Sequence, residues 1–122
     1  MPDRAASIRN IAEMPWEELP GHHGGALSKL LVHPETTGSR HIDHRISAYQ
    51  PRAHVEMHAH RVQEQVYHVL EGEGLMVIEE GRQVVRRHDV VFLPPGVRHS
   101  IGNTGLTDLV FLVITSPPDD EE

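Results

Sequence analysis

The 122-residue sequence contains no cysteine, which excludes disulfide bonds, thiolate metal sites and cysteine nucleophiles. It also lacks any apolar run near the roughly 18 residues of a membrane-spanning helix, and its first ten residues, MPDRAASIRN, lack the apolar core of a signal peptide. Positive charge is scarce: 11 Lys and Arg residues stand against 18 Asp and Glu, which argues against a nucleic-acid surface. We therefore expect a cytoplasmic protein that binds neither nucleic acid nor membrane.

The pattern of apolar residues predicts an all-β single domain. Short runs rich in Val, Ile and Tyr are separated by Gly, Asn, Asp or Pro at intervals of about 8–12 residues, and no run has a sustained helical period. We expect an arm and outer strand over residues 1–38, packed on the barrel or on a partner subunit. A barrel should follow over residues 39–116, and an acidic disordered tail over residues 117–122.

Histidine is the most over-represented residue type, with 11 copies. His58 and His60 form an H-x-H pair at the start of a predicted strand, and alternation along a strand places both imidazoles on one face. One H-x-H is expected by chance at this histidine frequency, so the pair alone indicates little. In the earlier strand SRHIDHRISAYQP, the apolar residues predict that His44 shares the inward face with Ile42, Ile46 and Ala48.

The second informative segment is FLPPGVRHSIGN, which spans residues 92–103. It has the pattern Pro94-x-Gly96-x-x-His99-x-x-x-Asn103. A Pro-Pro-Gly turn ends one strand, Gly96 suits a turn position that needs positive φ, and the next strand begins by directing an imidazole back across the barrel.

The two segments together resemble the paired motifs of the cupin superfamily. The first motif of that family is a glycine, five residues, H-x-H, three or four residues, an acidic or amide ligand, six residues and a second glycine. Here the matching residues are His58, His60 and Gly72, with Glu64 or Gln65 between them. Counting forward permits either residue, whereas counting six back from Gly72 selects Gln65.

The resemblance implies a double-stranded β-helix, or jelly-roll barrel, that holds one divalent transition metal (Fe, Mn, Ni, Zn or Cu). The implied ligands are three imidazoles and one amide oxygen: His58, His60, His99 and Gln65. Each family motif begins with a glycine, and this sequence has Arg52 and His88 at those places. These positions serve turns rather than the metal, so the departure concerns the loops.

Two classes of function follow from the resemblance. The first is a small metalloenzyme (a dioxygenase, isomerase, lyase or decarboxylase) acting on a small oxygenated, anionic molecule. The second is a non-catalytic module that binds or senses a sugar or organic acid in the same pocket. Candidate pocket residues besides the ligands are Tyr67, His44 and Glu56. We also expect a homodimer, because the outer strand containing LSKLL needs a partner along its edge.

Overall fold

The computed structural model describes residues 4–120, which form two antiparallel β-sheets and a short 3-10 helix at Ile11–Glu13. The strands are β1 (Glu17–Glu18), β2 (His22–His23), β3 (Ala26–Val32), β4 (Asp43–Tyr49), β5 (His54–Val55), β6 (Glu64–Glu71), β7 (Glu73–Ile78), β8 (Gly81–Arg86), β9 (Val90–Leu93), β10 (His99–Asn103) and β11 (Leu109–Ser116). One sheet has the order β1-β3-β4-β11-β6-β9 and the other β2-β5-β10-β7-β8. None of the helical residues described forms a segment long and apolar enough to cross a membrane.

The core lies between the two sheets and is built from alternating side chains. In β6 the buried residues are Gln65, Tyr67 and Val69, and in β11 the same alternation buries Phe111 and Val113. β5, β7, β8 and β10 contribute buried apolar residues from the other sheet to the same cluster: Val55, Met76, Val85 and Ile101. The predicted all-β, jelly-roll fold is confirmed.

Three turns show how the chain keeps this fold despite the missing glycines. Arg52 and His88 both adopt a left-handed backbone, with φ of 76° and 77°, which costs a non-glycine residue about 1–2 kcal/mol. Gly72 also has positive φ, and a Cβ there would collide with the carbonyl oxygen of Asp108. The turns expected of the family motifs are therefore retained, two of them under strain.

Strand β4 presents the opposite face to the one predicted from its apolar residues. The inward residues are Asp43, Arg45, Ser47 and Tyr49, of which all but Arg45 are buried. The prediction that Ile42, Ile46 and Ala48 mark the inner face is wrong. The physical reason is that this strand lines a polar cavity, so its inward side chains are the polar ones and the usual rule of burial is inverted.

Segments near both ends of the described chain are held by polar contacts. Lys29 of β3 donates from Nζ to the carbonyl oxygen of Ile11 at 2.9 Å and lies 4.7 Å from the ring centroid of Trp16. At the other end Asp120 accepts backbone hydrogen bonds from residues 61, 62 and 63. The disordered tail expected over residues 117–122 stays a prediction; in its described part, these three amides hold the carboxylate of Asp120. The last two residues of that expected tail, 121 and 122, lie outside the described chain.

Candidate metal centre

Three imidazoles from two segments of the chain meet at one end of the space between the sheets. His58 and His99 are antiparallel bridge partners, joined by backbone hydrogen bonds of 2.9 and 2.8 Å. The strand predicted around His58 and His60 is reduced to a bridge in the described chain, since β5 ends at Val55 and His58 pairs with His99 outside any strand. The ring centroids of His58, His60 and His99 lie 4.3–5.5 Å apart, and one nitrogen from each lies within 4.8 Å of the others.

Backbone carbonyls orient two of these rings. Nδ1 of His58 lies 2.7 Å from the carbonyl oxygen of Glu56, and Nδ1 of His99 lies 2.9 Å from that of Val97. A neutral imidazole has a single N–H, so an Nδ1–H donated to a carbonyl leaves the Nε2 lone pair available to a metal. Both rings therefore direct a ligating atom away from the backbone and into the site.

The contact between His99 and Gln65 is the most informative in the site. Nε2 of His99 lies 3.1 Å from Oε1 of Gln65. Burial lowers the pKa of His99 to about 4, so the ring is neutral at pH 7. Its one proton cannot serve both Val97 and Gln65, so with Nδ1 protonated two lone pairs face each other. A cation between the two atoms would turn this repulsion into coordination.

His60 supplies a second sign that the site is built for a cation. Its buried Nε2 atom has no hydrogen-bond partner within residues 4–120. Burial, followed by the neighbouring His58, lowers the pKa of His60 and so favours its neutral, ligating form. Orphaned buried nitrogens are rare in proteins and call for an explanation. The donor set of this site fits a divalent transition metal.

Gln65 rather than Glu64 faces the imidazoles. Gln65 is 8% exposed, while Glu64 lies on the solvent side of β6. The amide of Gln65 donates from Nε2 to Oγ1 of Thr115 at 3.1 Å, which turns its Oε1 toward His99. The strand therefore presents the amide, and not the carboxylate, to the three rings.

The cavity beside the imidazoles has a volume of about 130 Å³. Besides His58, His60 and Gln65, its lining residues are His22, Ser28, Arg45, Ser47, Tyr49, Gln63, Tyr67, Phe111, Val113 and Thr115. Tyr67 is buried and stacks on Phe111 with ring centroids 5.5 Å apart. Burial raises the pKa of Tyr67 well above its usual range, so its phenol stays protonated at neutral pH.

The other two pocket candidates do not line this cavity. His44 lies on the outer face of β4, and Glu56 is exposed, with Oε2 3.5 Å from Nε2 of His23. Sequence reasoning instead missed Arg45 and His22. His22 packs edge-on against Tyr49, with Nδ1 2.9 Å from the carbonyl oxygen of Pro20. The polar alternation Asp-x-Arg-x-Ser-x-Tyr in β4 was the signal that would have found Arg45.

Comparison with known proteins agrees with this geometry. The family model of the cupin domain matches residues 45–115, and the chain therefore belongs to the cupin family. It is 30% identical over 118 residues to the oxalate-binding protein of Thermotoga maritima, a match that covers 93% of this chain and 97% of that protein. It is 36% identical over 62 residues to an uncharacterized protein of Methanocaldococcus jannaschii, and this match spans only half of either chain.

A solved structure supports the same assignment of the fold. The crystal structure of a predicted oxalate decarboxylase from Thermotoga maritima superposes with a TM-score of 0.81 at 26% identity. The superposition covers 91% of this chain and 99% of that one. The fold is thus shared over nearly the whole length of both proteins.

Proposed function

We propose that the protein binds one divalent transition metal through His58, His60, Gln65 and His99, and uses it to bind a small carboxylate. The cluster of three imidazoles, with one ligating nitrogen from each of His58, His60 and His99 within 4.8 Å of the others, carries this proposal. Three imidazoles and an amide oxygen suit Fe, Mn, Ni, Zn or Cu. Such an ion, when bound, supplies a Lewis acid with two open positions if its coordination is octahedral.

The nature of the ligand follows from the charge of the site. All four proposed metal ligands are neutral, so the ion would keep its two positive charges and favour an anion in the open positions. The cavity of about 130 Å³ equals roughly four water volumes, which suits a very small molecule. Because the relative from Thermotoga maritima is named an oxalate-binding protein, we take oxalate as the first candidate.

Catalysis is the finer part of the proposal, with a decarboxylase first among the dioxygenase, isomerase, lyase and decarboxylase alternatives. The structural relative is described as a predicted oxalate decarboxylase. Tyr67 could donate a hydrogen bond to a carboxylate in the cavity, because its phenol stays protonated and lines the cavity, as does that of Tyr49. The non-catalytic alternative, a binding or sensing module for an organic acid or sugar, is favoured by the name of the oxalate-binding relative.

The test begins with metal analysis of protein purified without added metal. We expect about one equivalent in the wild type and a sharp loss in His58→Ala and His99→Ala. His44→Ala is the matched control, because His44 lies outside the cavity lining, and it should keep its metal. Full metal retention in both ligand variants would place the site elsewhere.

Turnover then separates the two classes of function. Metal-loaded protein is incubated with oxalate, with and without oxygen, while oxygen consumption and carbon dioxide release are followed. Carbon dioxide release that Tyr67→Phe lowers would support the enzyme and the role of the phenol. Binding of oxalate by calorimetry without any turnover would support the module.

We further propose a homodimer through the outer face of the six-stranded sheet. The strand register places Phe92, Val66 and Ile114 side by side on that face, and Phe92 is 56% exposed. β1 pairs with Leu27 and Ser28, so the LSKLL edge is already covered in part. Light scattering should give twice the 13.7 kDa chain mass, and Phe92→Glu should lower the measured mass. A wild-type monomer would contradict this proposal.

The cytoplasmic location stays a prediction.

A further inference from the structure

A second polar group lines the same cavity as the imidazoles. The guanidinium of Arg45 forms a forked ion pair with Asp43, with Nε 3.0 Å from Oδ1 and Nη2 2.7 Å from Oδ2. Asp43 is 1% exposed, and His33 approaches it from another side, with Nε2 3.7 Å from Oδ2. The guanidinium is thereby fixed in one orientation, and Arg45 is the cavity's arginine.

We propose that Arg45, positioned by Asp43, binds the oxygens of the ligand that the metal does not bind, and so selects a short dicarboxylate over a monocarboxylate. The inference rests on the proposed function, because it names the chemistry at the far end of the same site. In this arrangement the metal would bind oxygens at one end of the ligand, and Arg45 would donate hydrogen bonds to the oxygens at the other end.

The unused donors of Arg45 match this role. A guanidinium carries five N–H groups in a rigid fork, and the two bonds to Asp43 engage Nε and one hydrogen of Nη2. One hydrogen on Nη2 and two on Nη1 remain for a second acceptor. Planar, two-pronged recognition of a carboxylate is the task for which arginine is better suited than lysine.

A contribution to folding stability does not explain the ion pair between Arg45 and Asp43. Replacing a buried pair by apolar residues is often neutral or stabilising, because the loss of hydration offsets the attraction between the charges. The pair instead stands beside an open cavity and next to two hydroxyls, those of Ser28 and Ser47, whose oxygens are 2.8 Å apart. This part of the cavity, with its guanidinium and two hydroxyls, can bind the oxygens of a ligand whose other end lies at the proposed metal site.

The cavity also lacks the groups that would repel an anion. Among the described side chains that line it, none is acidic, and Asp43 lies behind Arg45 rather than on the cavity wall. The volume of about 130 Å³, roughly four water volumes, suits a very small molecule. Oxalate, a small dianion, meets both conditions.

The experiment compares oxalate with acetate, which offers a single carboxylate. Both affinities are measured by calorimetry on Mn²⁺-loaded wild type, Arg45→Gln, Arg45→Lys and Asp43→Asn, after metal content is verified. Hydrogen bonds to charged groups are worth about 1.5–3 kcal/mol, so Arg45→Gln should weaken oxalate binding by about 10-fold to 100-fold. Acetate binding should fall at least tenfold less. Arg45→Lys should restore part of the oxalate affinity, and Asp43→Asn should weaken oxalate by a smaller factor.

Arg40→Gln is the matched control, because Arg40 is exposed and precedes β4, and it should change neither affinity. An equal effect of Arg45→Gln on oxalate and acetate, or no effect on oxalate, would overturn the inference and leave the proposed function standing. A wild type that binds metal but neither anion would overturn the proposed function as well, so the two failures are distinguishable.

Discussion

Replacing Gln65 with glutamate adds one negative charge to the proposed metal site while keeping the shape of the side chain. Gln65 donates to Thr115 Oγ1, and a hydroxyl can rotate to donate to a carboxylate instead, so the variant should retain its hydrogen bonds. Two unit charges roughly 4 Å apart interact by about 4 kcal/mol at an effective dielectric of 20. If screening by the ion and solvent removes half of this, oxalate binding should weaken about 30-fold, which corresponds to about 2 kcal/mol.

The assay is calorimetry of oxalate binding to the Mn²⁺-loaded protein, preceded by a measurement of metal content. Gln65→Glu should keep its metal and lose oxalate affinity, because the carboxylate neutralises part of the charge that holds the anion. Glu64→Gln is the matched control and should change neither quantity, since Glu64 faces solvent. If Glu64→Gln loses the metal while Gln65→Ala keeps a full equivalent, the assigned register is wrong by one residue.

Three further predictions concern stability, measured by urea unfolding of the metal-free protein. An unfolded histidine has a pKa near 6.5, whereas the pKa of buried His99 is about 4, so on acidification the unfolded state binds a proton before the folded state does. The free energy of unfolding should therefore fall by about 3 kcal/mol as the pH drops from about 6.5 to 4. A free energy of unfolding that does not change over this range would contradict the prediction. Asn103→Ala should cost about 3 kcal/mol, because its side chain bonds three backbone groups at 2.8 Å; exposed Thr104→Ala should cost less than about 0.5 kcal/mol. Arg52→Gly and His88→Gly should each raise stability by up to about 1 kcal/mol by relieving their positive φ, and a loss of stability would argue against strain there.

The strands and the placing of Gln65 could be predicted because local pattern and burial agree there. In β6 the residues alternate between a buried and an exposed face, and the alternation places Tyr67 and Gln65 on one side and Glu64 on the other. Because side chains alternate along a strand with a period of two residues, each one faces either one side of the sheet or the other. The same logic identified His58 and His60 as neighbours, although His58 joins its sheet by a single bridge.

The opposite wall of the cavity could not be predicted in that way. In β4 the apolar residues lie on the outer face and Arg45 on the inner, because the interior of the domain at this point is a polar site rather than a core. The contact that holds Asp120 could not be predicted for another reason. Asp120 is held by the amides of residues 61–63, a contact between segments nearly 60 residues apart, and no local pattern encodes it.

The charges of the proposed site couple metal binding to ligand binding. Three imidazoles and an amide leave the two positive charges of the ion unbalanced, and Asp43 is already committed to Arg45. The anion is therefore the group that completes the charge balance inside the cavity. By thermodynamic linkage, whatever factor the metal adds to oxalate affinity, oxalate must add to metal affinity. A glutamate at position 65 would supply that balance internally and weaken the coupling, so under the proposed function an amide there would make metal binding depend on the ligand.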